Sequence, residues 1–184
     1  MIAGVGEFRF RRLTRDDFGL LGRWLAEPHV ARWWNHDPRR AALETDFGPS
    51  IDGEEPAEDF VVELDGQPIG VIQSCRFADY PEYVVEMADV MTLPEGAYSI
   101  DYFVGEPDLV GRGIGTAAIR AFAERLWIAQ PDATAIVVPV NSENVASWRA
   151  LQRAGFRLVA RGELKPDNPA DDPMHEVFQL DRPG

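Results

Sequence analysis

Val110-Gly111-Arg112-Gly113-Ile114-Gly115-Thr116 is the stretch of this 184-residue chain in which residue type and spacing first suggest chemistry. Its three alternating glycines lie between an expected strand and an expected long helix. Glycine permits positive φ and close backbone approach, and the unpaired N–H groups of a helix's first turn attract phosphate or pyrophosphate. Two familiar phosphate loops fail on spacing: a dinucleotide G-x-G-x-x-G needs glycine where Thr116 stands, and a P-loop needs Gly-Lys-Ser/Thr. On the glycines alone, a purely structural turn competes with the phosphate reading. His29, His36 and His175 show no metal-ligand spacing, so no metal is expected. His36-Asp37 reads as a turn rather than a dyad. The single cysteine, Cys75, falls on an expected hairpin strand, where it reads as buried packing, and one cysteine excludes an intramolecular disulfide or a multi-cysteine zinc site.

The elements that position this loop follow from periodicity. Glu7 to Leu13 alternates as a half-buried strand, and Thr14-Arg15-Asp16-Asp17 opens a helix carrying Phe18, Leu20, Leu21, Trp24 and Leu25. A short helix is expected over His29 to Trp34, a turn over Asn35 to Pro38, a helix over Arg39 to Phe47 and a loop from Gly48 to Asp59. Phe60 to Leu64 and Pro68 to Cys75 flank Asp65-Gly66, the strongest hairpin signal in the chain. Ala78 to Gly96 reads as loop with a short helix, and Ala97 to Val104 as a strand. Ile114, Ala118, Phe122 and Leu126 mark one face of a long helix. Thr134 to Val140 is a strand, Ser142 to Ala154 a helix stopped at Gly155, and Phe156 to Leu164 and His175 to Leu180 the last strands. This order predicts a single α/β (α+β) domain over residues 1–184, a mixed sheet with helices on both faces.

Charge narrows the partners. The net charge is −13, and from Ala41 to Gly111 there are seventeen carboxylates against one base, Arg76, so that segment carries −16 and the remainder +3. This excludes general nucleic-acid or anionic-membrane binding and leaves two readings, a solvated acidic face or a surface for a polycation. No apolar run reaches bilayer-spanning length. Met1 to Glu7 lacks a basic n-region and precedes the first strand too closely for a signal-peptide core, so a cytoplasmic protein is expected.

The glycine loop acquires a sharper meaning beside Asn144-Val145-Ala146-Ser147 and Arg153-Ala154-Gly155-Phe156. Together these resemble the GNAT superfamily of N-acetyltransferases: the loop is similar to the pyrophosphate motif Gln/Arg-x-x-Gly-x-Gly/Ala, with Val110 in place of the opening Gln/Arg, and the element order matches that fold, with its central, mixed, mostly antiparallel sheet. Within the superfamily, Leu25-Ala26-Glu27-Pro28-His29-Val30-Ala31-Arg32-Trp33-Trp34 and Ile100-Asp101 resemble aminoglycoside 6'-N-acetyltransferases. Trp-Trp after a short helix is shared with siderophore-type lysine N-acyltransferases.

The resemblance implies direct acetyl transfer from acetyl-CoA, without a metal, to an amine of a cationic small molecule, most simply the 6'-amine of an aminoglycoside. It assigns Asp101 to orienting and deprotonating the amine. Backbone N–H groups near Phe103 and Val104 are assigned to the pantetheine arm, Val110, Gly111, Arg112, Gly113, Ile114, Gly115 and Thr116 to the pyrophosphate, and Asn144 to the pantetheine or phosphate region. The helix tyrosine that protonates the thiolate in many members is Leu151 here, leaving water or a helix dipole for that task. An aminoglycoside calls for carboxylates interleaved with aromatic rings, a mixture found from Asp79 to Tyr98. Trp34, Glu82, Asp89 and Glu95 are therefore expected around the acceptor together with Asp101. The alternatives are a siderophore-type lysine or hydroxylysine N-acyltransferase and a non-catalytic coenzyme-A-binding regulator. Members of the fold are monomers or homodimers.

Overall fold

Asp65 and Gly66 both adopt positive φ, 51° and 78°, the backbone of a tight two-residue hairpin turn. In the computed structural model, which describes residues 6–184, this turn joins β2 (Glu58–Leu64) to β3 (Gln67–Arg76), and β1 (Phe8–Arg12) pairs antiparallel with β2. Asp65 also takes the main-chain N–H of Glu7 onto its carboxylate at 2.8 Å, which ties the start of β1 to the turn. Met1–Val5, on which the absence of a leader was argued, lie outside the described residues.

The chain divides into two units, residues 1–74 with 101–118 and residues 75–100 with 119–184. The first holds β1 to β3, α1 (Phe18–Leu25), α2 (Pro28–Ala31), α3 (Arg40–Asp52) and the second half of β4 (Ala97–Val104). Its core gathers Phe18, Leu21, Trp24 and Leu25 from α1, at the i, i+3, i+6, i+7 spacing of one helix face, with Leu43 and Phe47 of α3, Val61, Val71 and Phe103. Thr14 and Asp17 form a capping box at the entry to α1, and Arg11 reaches the Asp17 carboxylate through both guanidinium nitrogens at 2.7 and 2.8 Å.

The second unit holds α4 (Pro81–Ala88), the first half of β4, most of α5 (Ile114–Ala129), β5 (Ala135–Asn141), α6 (Val145–Ala154), β6 (Arg157–Glu163) and β7 (Met174–Asp181). Phe77, Met87, Ala97, Ala135, Val137, Leu164 and Val177 make its core. The Arg182 guanidinium donates to four carbonyls at and beyond the end of α5, those of Trp127, Gln130, Pro131 and Ala133, at 2.9–3.1 Å. Trp127 O is one of the carbonyls that the end of α5 leaves without a partner within the helix, and Gln130 O also accepts from the main-chain N–H of Ala133 at 3.0 Å.

The strand order is β1-β2-β3-β4-β5-β7-β6, antiparallel in every pair whose register is resolved except β4 with β5. Among the described residues six helices accompany this sheet, which is mixed and mostly antiparallel as expected. β4 pairs with β5 only at Ala97–Ala135 and Tyr98–Ile136, the first two residues of an eight-residue strand.

Three local expectations are corrected. α3 continues through Gly48 and Pro49 to Asp52, where Gly53 at φ 75° stops it, so the expected loop shrinks to the few residues before β2. Gly48 and Ser50 are buried, and burial against the first unit's core overrides the local breaker signal. The second helix ends at Ala31, short of the tryptophan pair. Cys75 is half-buried rather than buried.

Candidate active site

The glycine loop is built as a turn that unwinds into a helix. Pro107–Leu109 makes one 3-10 turn, Val110 is extended and exposed, and Gly111 and Gly113 take φ 78° and 79°, where an L side chain is strained. The first helical bond of α5 runs from Ala117 N to Gly113 O at 3.1 Å. The N–H groups of Gly113, Ile114, Gly115 and Thr116 therefore have no acceptor within the helix. Gly111, Arg112 and Gly113 are exposed.

Gly115 differs from the other two. Its φ is not positive, and a Cβ built on it meets only Val104 Cγ2, at 3.8 Å, an ordinary contact. Neither backbone conformation nor packing demands glycine there, although glycine inside a helix costs about 0.5–1 kcal/mol relative to alanine. With two positive-φ glycines and four N–H groups to which the helix supplies no acceptor, this loop fits a pyrophosphate.

β4 supplies the rest of the first unit's candidates. Asp101 is exposed, and strand alternation puts it on the face that carries Phe103. Phe103 meets the ring of Trp24 edge-on at 6.2 Å and that of Trp34 at 4.8 Å. The strand itself is fixed closely: a Cβ on Gly70 would lie 2.1 Å from the Phe103 carbonyl oxygen, and one on Gly105 would lie 2.2 Å from the Trp24 ring. Trp24 donates its indole N–H to Glu106 at 2.9 Å. His29, on α2, donates Nε2–H to the Val104 carbonyl at 2.8 Å.

Of the tryptophan pair, Trp34 packs on the core while Trp33 takes the Arg32 guanidinium on its face at 4.1 Å. Residue 36 pairs not with its neighbour Asp37 but with Asp46 on α3, Nδ1 to Oδ2 at 2.8 Å. Asp37 bonds instead to Arg39, whose guanidinium and main-chain N–H hold that carboxyl down at about 2. Asp59 is buried behind this region, accepting from Ser50 Oγ and, at 2.7 Å, from Gln73; burial pushes its carboxyl above the ordinary value.

The second unit carries Glu82, Asp89, Glu95, Asn144 and Leu151. Glu82 lies in the first turn of α4, Asp89 caps that helix, and both are exposed, as is Glu95. Tyr80 and Tyr83 stack with centroids 5.3 Å apart, and Val85 is exposed beside them. Glu86 accepts the main-chain N–H of Lys165 at 2.6 Å. Asn144 Oδ1 caps α6, accepting from Ser147 N at 3.2 Å, and Leu151 is fully buried. Among the described residues, no group of three or more His, Cys, Asp or Glu side chains is arranged to hold a metal ion.

Sequence reasoning missed the partners of His29 and His36, although both lie in or beside the stretch that carries the family resemblance. No local pattern announces a histidine whose acceptor is a strand carbonyl or a helix ten residues on.

The model of the acetyltransferase (GNAT) domain matches residues 14–164. The chain belongs to the GNAT acetyltransferases. Curated GNAT relatives include the aminoglycoside N(6')-acetyltransferases type 1 of Klebsiella pneumoniae and Serratia marcescens, each 28% identical over 164 residues covering 87% of this chain and 78% of the relative. The solved structure of aminoglycoside acetyltransferase AAC(6')-Ib with coenzyme A and kanamycin superposes with a TM-score of 0.78 at 24% identity, covering 96% of this chain and 95% of that one. The aminoglycoside N(6')-acetyltransferase of Legionella pneumophila gives 0.70 at 17% identity, covering 98% and 95%. These structures bear out the expected GNAT fold.

Proposed function

We propose that this GNAT protein transfers the acetyl group of acetyl-CoA to a primary amine of a polycationic small molecule, with the 6'-amine of an aminoglycoside as the favoured acceptor. The observation that carries the reading is the exposed Asp101 on β4, on the strand face shared with Phe103 and its Trp34 contact and a few residues ahead of the glycine loop. A carboxylate beside an aromatic wall is suited to an ammonium on a sugar ring. The relatives named above, aminoglycoside acetyltransferases by description, support the same acceptor class.

Acetyl-CoA supplies an activated thioester when bound. The main-chain N–H groups of Gly113, Ile114, Gly115 and Thr116 hold its pyrophosphate, with Val110, Gly111 and Arg112 shaping the approach. N–H groups near Phe103 and Val104 hold the pantetheine arm, a task made easier by the short β4–β5 pairing. Asp101 accepts a hydrogen bond from the acceptor ammonium and fixes its nitrogen for attack. A carboxylate is a weak base toward an ammonium, so Asp101 works chiefly by orientation while the proton leaves through water. Leucine at position 151 offers no side-chain acid from that position of α6, and water protonates the departing thiolate. Asn144 toward the coenzyme, and Glu82, Asp89 and Glu95 toward the acceptor, complete the assignment.

Thiol release from acetyl-CoA with kanamycin, tobramycin and lysine as acceptors, with mass analysis of products, tests the reading. One acetyl on the 6'-amine is expected. Turnover on lysine alone overturns the acceptor class, and coenzyme binding without turnover on any of the three overturns the activity. Asp101→Asn is expected to lower kcat by about 10²–10⁴-fold and to leave acetyl-CoA affinity unchanged. Unaltered turnover removes Asp101 from its role.

A further inference from the structure

The imidazole of His36 is enclosed by groups that fix its plane. Asp46 Oδ2 accepts from Nδ1 at 2.8 Å, and both side chains are about one-third exposed. The ring of the core residue Phe47 lies 5.3 Å from it at 44°, and the Trp34 indole 5.8 Å from it at 45°. Asp46 and Phe47 are successive residues of α3, so one helix supplies both the acceptor and the packing surface. The His36 main-chain N–H donates to the Trp34 carbonyl at 2.9 Å, closing a tight turn that brings the imidazole back over the indole. The indole in turn meets Phe103 nearly perpendicularly, at 4.8 Å and 83°.

A hydrocarbon at position 36 would also pack against Trp34 and Phe47. A histidine does more, because the bond to Asp46 restricts rotation of the ring, so the imidazole presents a fixed surface to the indole that also contacts Phe103. Backbone bonds from Trp33 N and Trp34 N to Val30 O fix the main chain at this point, but not the side-chain rotamer.

We propose that His36, oriented by Asp46, is a positioning residue that sets the Trp34 indole and thereby the affinity and selectivity for the acceptor. This rests on Trp34 forming one wall of the acceptor site in the reading above. His36 touches neither substrate and acts through Trp34 alone.

The test compares His36→Ala, His36→Leu and His36→Asn with the parent protein. His36→Leu keeps the packing without the bond, and His36→Asn keeps a donor near Nδ1 without the full ring. In His36→Ala and His36→Leu the acceptor KM for kanamycin is expected to rise about 5–20-fold, with kcat and the acetyl-CoA KM within about twofold, and His36→Asn is expected to recover part of the loss. Equal changes in kcat and both KM values, or an unchanged acceptor KM in His36→Leu, overturn the proposal. The indole N–H resonance of Trp34, assigned with Trp34→Phe, gives a readout free of turnover. It is expected to shift in His36→Leu, and an unmoved signal overturns the positioning role. Failure of the parent protein to acetylate kanamycin refutes the acceptor assignment instead, and the Trp34 resonance then decides the His36–Trp34 coupling by itself.

Discussion

Gly115 separates the needs of the fold from those of the ligand. Because a Cβ there meets only Val104, Gly115→Ala is expected to leave stability unchanged or raise it by about 0.5 kcal/mol, while weakening acetyl-CoA binding about tenfold. Thermal melts and titration calorimetry on the same variant check both halves. Asp59 carries the opposite kind of cost. Burial raises its folded-state pKa above the unfolded value, so its stabilising contribution is complete below about pH 4 and is lost as pH rises through the folded value. The parent is therefore expected to lose stability relative to Asp59→Asn as pH rises above about 4, read from urea midpoints at successive pH values. A flat or reversed difference would contradict the assignment. What the sequence located at this scale was set by local spacing: the glycine loop, and an aspartate on the strand before it. The His36–Asp46 pair was not legible because the partner stands on α3, and only the packing of Phe47 into the core brings Asp46 to it.

At the scale of elements, period and turn chemistry located nearly every strand and helix, since amphipathic α1 and the Asp-Gly hairpin state their partners in local terms. Gly48-Pro49 read as a stop because both residues are locally unfavourable in a helix. α3 keeps them because Phe47, Gly48 and Ser50 are buried, and the Ser50 hydroxyl is spent on Phe47 O and Asp59. The end of α5 is governed from still farther away. Arg182 satisfies four carbonyls there, so Arg182→Ala is expected to cost about 2 kcal/mol, seen as a fall of about 4–8 °C in Tm. Lysine, with one ammonium in place of the planar fork, is expected to restore less than half of the loss.

For the whole molecule the charge division is the leading fact: −16 between Ala41 and Gly111, and +3 elsewhere. Acceptor KM is expected to climb with ionic strength more steeply than acetyl-CoA KM, because a polycation meets a field that salt screens. Steady-state kinetics from about 20 to 300 mM salt, spanning Debye lengths of roughly 20 to 6 Å, check this, and parallel slopes would argue for a merely solvated acidic surface. Among the described residues, no helix is long and apolar enough to cross a membrane. The Arg182 clamp also has a temporal side. Fifty-two residues separate Arg182 from Gln130, the first residue past α5. At about 5–20 residues per second, a ribosome makes the helix roughly 3–10 s before the residue that closes it. During that interval the carbonyls at the end of α5 are bridged to solvent, and the nascent helix frays at that end until synthesis delivers its last partner.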